Sequence, residues 1–341
     1  MNAPSNRDTE FLIGHEEQER AIAAALGAGK FPHALLLSGP KGIGKATLGW
    51  RIARYIFSLG EAGGGLLKEM PMFEIEGYDS DAPAVKGNES PLQISKNNSL
   101  FSRLSSGGVQ DFKLIEREWV DEAKTRRKTD ITVEQIRGLK KFFETTSSEE
   151  GWRVALIDSA DEMNKNAANA LLKILEEPPA KSLLILISHN PGGILPTIKS
   201  RCRAIRLNRL GEPQMEGLLA SYIPNADEAQ RKRLSELAMG SPGQAISLWM
   251  GDALVLEERF RETAKGRESI GTLANLAAAN FGVFKIVAVR YVEDKIRVAK
   301  PGDDRMFELR SWMIEQLASA GRLNLDPVLT TFAVMERLRK C

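Results

Sequence analysis

Five short, largely apolar runs stand out in the first two thirds of the chain, at positions 34–37, 113–115, 154–157, 183–187 and 204–207. Runs of this length, bounded by turn or polar residues, predict strands buried on both faces. Between the later runs the apolar spacing changes to every third or fourth residue. Ile136, Leu139 and Phe143 fall on one helical face, with Thr132 and Gln135 as a capping box ahead of them. Ala168, Leu171, Leu172 and Leu175 form a second stripe, started by Asn164 as N-cap and stopped by Pro178-Pro179. Strands alternating with helices predict an α/β domain, a parallel sheet sandwiched by helices. Beyond Arg209 the strand signal fades and amphipathic helices take over, predicted at 270–279, 284–299, 307–320 and 327–339. Gly240-Ser241-Pro242-Gly243 breaks one helix from the next. The pattern therefore divides into an α/β domain over 1–208, a small helical domain over 209–251 and a second helical domain over 252–341. Residues 60–108, rich in Gly, Ser and Asn and weakly periodic, read as a long insertion made of loops.

Composition narrows the function classes. The 341 residues give room for two or three domains, and 43% hydrophobic with 27% charged residues is the balance of a soluble globular protein. No apolar run approaches the roughly 20 residues that span a bilayer, and residues 1–10 are polar, so no membrane association and a cytoplasmic location are expected. Two cysteines, Cys202 and Cys341, support neither a disulfide framework nor a cysteine-rich zinc module. A net charge of +2 is too small to argue nucleic-acid binding by the chain as a whole. The local run Lys124-Thr125-Arg126-Arg127-Lys128 reads either as a solvated loop or as a contact to template phosphates.

Chemistry is concentrated after the first run. In Ser38-Gly39-Pro40-Lys41-Gly42-Ile43-Gly44-Lys45-Ala46-Thr47, the residues Gly39, Gly44 and Lys45 have the spacing of a phosphate-binding P-loop. The predicted strand before it and the predicted helix at 48–57 after it are the context that motif requires. Glycines, Gly42 included, let backbone N–H groups curl around an anion, the helix start adds a favourable dipole, and lysine reaches the outer phosphates. Ala46 stands where a hydroxyl would hold Mg²⁺, and Thr47, one residue on, points about 100° away on a helix. Asp158 closes the run at 154–157 in the manner of a Walker B carboxylate, but Ser159 follows it where a water-orienting glutamate would stand. Asp161 and Glu162 read as solvated loop charges. The candidate nucleotide contacts are thus Gly39, Gly42, Gly44, Lys45, Ala46, Thr47 and Asp158. Arg201, in Leu195-Pro196-Thr197-Ile198-Lys199-Ser200-Arg201-Cys202, suits either a grip on phosphate oxygens or a structural salt bridge.

Two further segments carry a family resemblance. Asn169-Ala170-Leu171-Leu172-Lys173-Ile174-Leu175-Glu176-Glu177-Pro178-Pro179 and Ser200-Arg201-Cys202 resemble the helix-and-turn and SRC signatures of the clamp-loader branch of the AAA+ proteins. The likeness runs from Ile13-Gly14-His15 to Leu207, interrupted by the insertion, and the pair of signatures at this spacing is specific. It implies an AAA+ P-loop domain followed by a helical lid and an all-helical collar. It also implies a hetero-pentameric ring with motor and delta subunits, which opens a sliding clamp and places it on primed DNA. Arg201 would act there in trans, as an arginine finger in a neighbour's ATP site. The chain departs from the motor subunits, gamma and tau, at Ala46, at Ser159 and at Gly243, where their lid carries arginine. That combination implies a subunit with no ATPase activity of its own and no required cofactor. ATP or ADP binding and a vestigial loop both remain compatible with the P-loop residues. Many relatives carry a four-cysteine zinc module after the P-loop helix; this chain has no cysteine in 60–108, so neither zinc nor another metal site is expected. The rival reading is a catalytic motor of the gamma/tau type, which needs Thr47 to replace the missing hydroxyl. A P-loop kinase or unrelated NTPase would leave the second and third signatures unexplained.

Overall fold

The computed structural model describes residues 5–28, 31–61, 90–122, 127–144, 151–299 and 304–341. The chain forms two compact units, meeting in sequence between Leu210 and Gly211. The first contains, in order, α1 (Glu16–Gly27), β1 (Ala34–Ser38), α2 (Lys45–Glu61), α3 (Ser99–Ser105), β2 (Phe112–Ile115), α4 (Val133–Glu144), β3 (Arg153–Ile157), α5 (Lys165–Glu176), β4 (Ser182–Ser188), α6 (Pro196–Lys199) and β5 (Arg203–Arg206). The strands form one sheet in the order β2-β3-β4-β1-β5. Every neighbouring pair runs parallel.

Alternation of side chains explains why the central strands are apolar at every position. Leu35, Leu37, Leu156, Ile185 and Ile187 face α1 and α2, where Ile22, Leu26, Leu48, Ile52 and Ile56 meet them. Leu36, Ala155, Ile157, Leu184 and Leu186 face α4 and α5, against Ile136, Leu139, Leu171 and Leu175. The run at 204–207 behaves differently: β5 is an edge strand, starts at Arg203, and is exposed at three of its four residues. Helix starts follow the expected chemistry. The Asn164 side chain accepts a hydrogen bond from the Ala167 N–H at 2.9 Å, and the Thr132 N–H donates to Gln135 Oε1 at 3.0 Å.

The insertion is more ordered at its end than its composition suggests. Residues 62–89 lie outside the described residues, but α3 follows them, and Leu92 and Leu104 are fully buried in the α1–α2 core. Two arginines of α2 tie this region together. Arg51 is paired with Glu19 of α1, both almost wholly buried, and it also donates to Ser90 Oγ and the Glu10 carbonyl. Arg54 donates to the carbonyls of Thr9 and Arg7 and lies 3.8 Å over the Phe101 ring of α3. The P-loop helix is thereby fastened to the N-terminal segment, to α1 and to α3.

The second unit is all helical among the described residues: α7 (Glu212–Tyr222), α8 (Glu228–Ala238), α9 (Pro242–Met250), α10 (Ala253–Ala264), α11 (Ile270–Ala279), α12 (Phe281–Val298), α13 (Arg305–Leu323) and α14 (Pro327–Lys340). Met239 and Gly240 both take left-handed backbone between α8 and α9, a helix stop followed by Pro242 at the next start. α7, α8 and α9 pack together; α12 packs on α10 and α13, and α11 on α14. Arg233 of α8 joins the two groups, donating to Glu257 of α10 at 3.0 Å and to Asp294 of α12 at 3.0 Å. The helix at 253–264 lies outside the four amphipathic stretches that the apolar spacing predicts.

Breaking one half of the buried α1–α2 pair should be costly, because it strands a charge in the core. Glu19→Leu is expected to lower unfolding free energy by about 3–5 kcal/mol in denaturant titration, and adding Arg51→Met should recover most of that loss.

Candidate functional site

The loop after β1 is shaped by three glycines in the left-handed region, Gly39 (φ 146°), Gly42 (φ 80°) and Gly44 (φ 104°). A side chain at Gly39 would also stand 2.4 Å from the Leu207 carbonyl oxygen, so only glycine fits there. α2 begins at Lys45, whose ammonium folds back into the loop and donates to the Gly39 carbonyl at 2.7 Å and to that of Pro40. Lys45 is 2% exposed. Burial brings its pKa down to about 8, against the opposing pull of Asp158 and Asp161. Ala46 is partly buried, whereas Thr47 is buried in the interior. The hydroxyl that would have to substitute for the missing metal ligand is therefore the less accessible of the two.

Asp158 follows β3, and its N–H donates to the Ile115 carbonyl at 2.8 Å. Burial raises its carboxyl above the usual range, helped by the negative charge of Glu116 and opposed by Lys45. Ser159 takes left-handed backbone at φ 65°. Asp161 and Glu162 are not free loop charges. Asp161 accepts from the backbone N–H groups of His189 at 2.9 Å and Asn190 at 3.0 Å, clamping the turn after β3 to the end of β4. Glu162 pairs with Arg117 at 2.6 Å.

The end of β4 belongs to none of the motifs legible in the sequence. Ser188 pairs with Ser38 in the sheet, and its carbonyl accepts from the Gly39 N–H. Ser188 Oγ and His189 Nδ1 are both buried without a hydrogen-bond partner. Burial, followed by the charge of Lys45, pulls the His189 imidazole down to about 4. Unpaired polar atoms are costly inside a protein, and these two stand at the same end of the sheet as the P-loop. Glycine cradle, lysine and orphaned polar atoms together fit a phosphate group. The side chain at 46 brings no oxygen for a magnesium ion beside that phosphate, which leaves Asp158 as the acidic group directly after β3 at this end of the sheet. The signal that could have found them is the polar Ser188-His189-Asn190 directly after an apolar strand.

Arg201 is exposed, just beyond the end of α6. Its Nη1 donates to the Thr197 carbonyl at 3.1 Å and its Nη2 pairs with Glu176 Oε1 at 3.0 Å. The register fixes its distance from the P-loop. Arg203 pairs with Leu35 and Arg206 with Ser38, so the loop lies beyond one end of β5 and Arg201 before the other. At roughly 3.3 Å per residue, about 13 Å of sheet separates the level of Arg203 from that of Gly39. Burial pushes the neighbouring Cys202 thiol up to about 12, which removes it from nucleophilic chemistry. Of the basic run, residues 124–126 lie outside the described residues. Arg127 pairs with Glu116 at 2.9 Å and stacks over Trp119, and Lys128 pairs with Glu118 at 2.7 Å. Gly243 falls in the first turn of α9. Among the described residues, no three His, Cys, Asp or Glu converge as a metal set, and no helix is long and apolar enough to cross a membrane.

A parallel sheet with a P-loop after β1, an acidic residue after β3 and a following helical unit defines an AAA+ type nucleotide-binding fold. Residues 88–211 match the family model described as DNA polymerase III, delta subunit. The chain is 32% identical to the DNA polymerase III subunit delta' of Pseudomonas aeruginosa over 225 residues, covering 66% of this chain and 58% of that one. It is 28% identical to the subunit delta' of Bacillus subtilis, covering 73% and 65%. It is also 30% identical to the subunit gamma of Buchnera aphidicola, covering 70% and 56%. The chain belongs to the DNA polymerase III clamp-loader family, on its delta' side. The matched part spans 58% of the Pseudomonas aeruginosa relative's length and no more than 65% of either of the other two.

The buried ammonium of Lys45 sets a stability–function trade-off that pH exposes. Lys45→Met should stabilise the folded chain by about 1–3 kcal/mol near neutral pH, by removing a desolvated charge. Between pH 8 and the ordinary lysine value of 10.5 the unfolded chain holds a proton that the folded one has released. Wild-type stability should therefore gain on the Lys45→Met variant as pH rises through that window, read by denaturant titration at stepped pH.

Proposed function

We propose that this chain acts as a delta' subunit in a ring-shaped clamp loader, lending Arg201 to the ATP site of an adjacent motor subunit and turning over no ATP itself. The observation that carries this reading is the separation of Arg201 from its own P-loop by the length of the sheet, with its guanidinium open to solvent. A fixed cation so placed can reach a triphosphate only if another protein brings it. There it would neutralise charge developing on the transferring phosphoryl group, which is the work of an arginine finger.

The incomplete local site points the same way. Ala46 supplies no metal ligand, Thr47 is buried, and Ser159 offers no proton acceptor at neutral pH. These features count against the gamma/tau-like motor as the alternative. The P-loop is retained as a binding device: its glycines, Lys45 and the orphaned groups of Ser188 and His189 would hold the phosphates of ATP or ADP without hydrolysing them. On the helical unit, Phe307 and Ile314 of α13 and Leu329 and Phe332 of α14 are exposed apolar side chains. They supply the kind of surface that a collar between motor and delta subunits would bury. Clamp and primed DNA are then partners of the assembled ring.

Arg201→Ala in the assembled complex is expected to leave ring formation intact while slowing hydrolysis at the one site it serves by about 10³-fold. Single-turnover ATP hydrolysis with DNA and clamp present measures this, and an undiminished fast phase would refute the finger role. The isolated chain should show no ATP hydrolysis above background; turnover that disappears in Lys45→Ala would revive the motor reading.

A further inference from the structure

The two signature segments of this chain touch each other. Glu176 is the last residue of α5, immediately before Glu177-Pro178-Pro179 ends the helix, and its carboxylate holds the guanidinium of Arg201 at 3.0 Å. A carboxylate in the final turn of a helix faces the negative end of the macrodipole, so its position there calls for a cation. Arg201 supplies it, braced from the other side by the Thr197 carbonyl. Neither side chain is deeply buried: 37% of Arg201 and 49% of Glu176 are exposed. A solvated pair of this kind is weak and exchanges readily.

We infer that Glu176 is a positioning residue for the trans-acting arginine, a latch that keeps Arg201 folded against its own domain until a neighbour's triphosphate displaces the carboxylate. This rests on the finger reading above. The latch competes with the γ-phosphate for one guanidinium. A carboxylate with a single charge loses that competition to a more highly charged triphosphate once the ring closes, and holds Arg201 back when it is open. Glu176 therefore lowers ATP turnover in the idle complex and has little influence on the engaged one.

The test uses the assembled clamp loader containing this chain, measured without DNA or clamp. Glu176→Gln should raise basal kcat about two- to five-fold, the range by which exposed ion pairs shift equilibria, with KM for ATP unchanged. In the Arg201→Ala background the same substitution should change nothing, since it acts only through that arginine. Glu176→Ala serves as a second variant, with melting temperature and ring assembly checked for both. A fall in basal kcat, an altered KM without a kcat gain, or an equal effect in the Arg201→Ala background would overturn the latch. The two ideas separate cleanly. Loss of turnover on Arg201→Ala with no response to Glu176→Gln removes the latch and keeps the finger. If Arg201→Ala changes nothing, both fall.

Discussion

Parallel pairing of all five strands governs what each chemical group on the sheet domain can reach. It brings the ends of β1, β3 and β4 to one edge of the sheet, so Gly39, Asp158 and His189 gather there although they are far apart in sequence. It sends the beginnings of the same strands, the end of α5 and the turn before β5 to the other edge, where Glu176 meets Arg201. The P-loop and the Glu176–Arg201 pair are thus built on opposite rims of one layer. Slipping one strand along another would exchange its two faces and empty both cores at once, so this arrangement is as firm as the fold itself.

Much of this could be read from the chain alone. The apolar runs gave the strands of the interior because residues facing two cores must be apolar at every step. The P-loop and the Asn164 cap were legible because their chemistry is local. What stayed hidden was long-range pairing. Nothing in the spacing of Glu19 and Arg51 announces a buried ion pair, and the helix Ser99–Ser105 is too short to show periodicity, although Leu104 lies in the core. Asp161 looked like a solvated charge because its partners, the N–H groups of His189 and Asn190, are backbone atoms some thirty residues away. Arg203 and Arg206 placed polar side chains on a strand that was expected to be interior, and the edge position of β5 accounts for them.

The site carries desolvated polar groups whose cost the rest of the domain balances. Lys45 is an ammonium kept from water, and Ser188 Oγ and His189 Nδ1 are buried without partners. Such groups destabilise a fold in isolation and are tolerated where a ligand completes them. Around them the structure is fastened with more than usual care: Arg51 and Arg54 bind α2 to three other segments, and Asp161 staples two strand ends together. The division is between a loop end with buried, unpartnered polar groups and a frame fastened by paired ones.

The left-handed turn at Ser159 reaches further than the loss of one side chain. A residue with a Cβ pays about 1–2 kcal/mol to sit in that conformation, and a long side chain gains nothing by it. Serine already bears that cost, so a longer side chain written at 159 would inherit the same bend and project from it in the direction the left-handed backbone sets, while Asp161 keeps its grip on the residues after β4. The direction in which any side chain at 159 points is thus set by the backbone of the turn before the side chain is chosen.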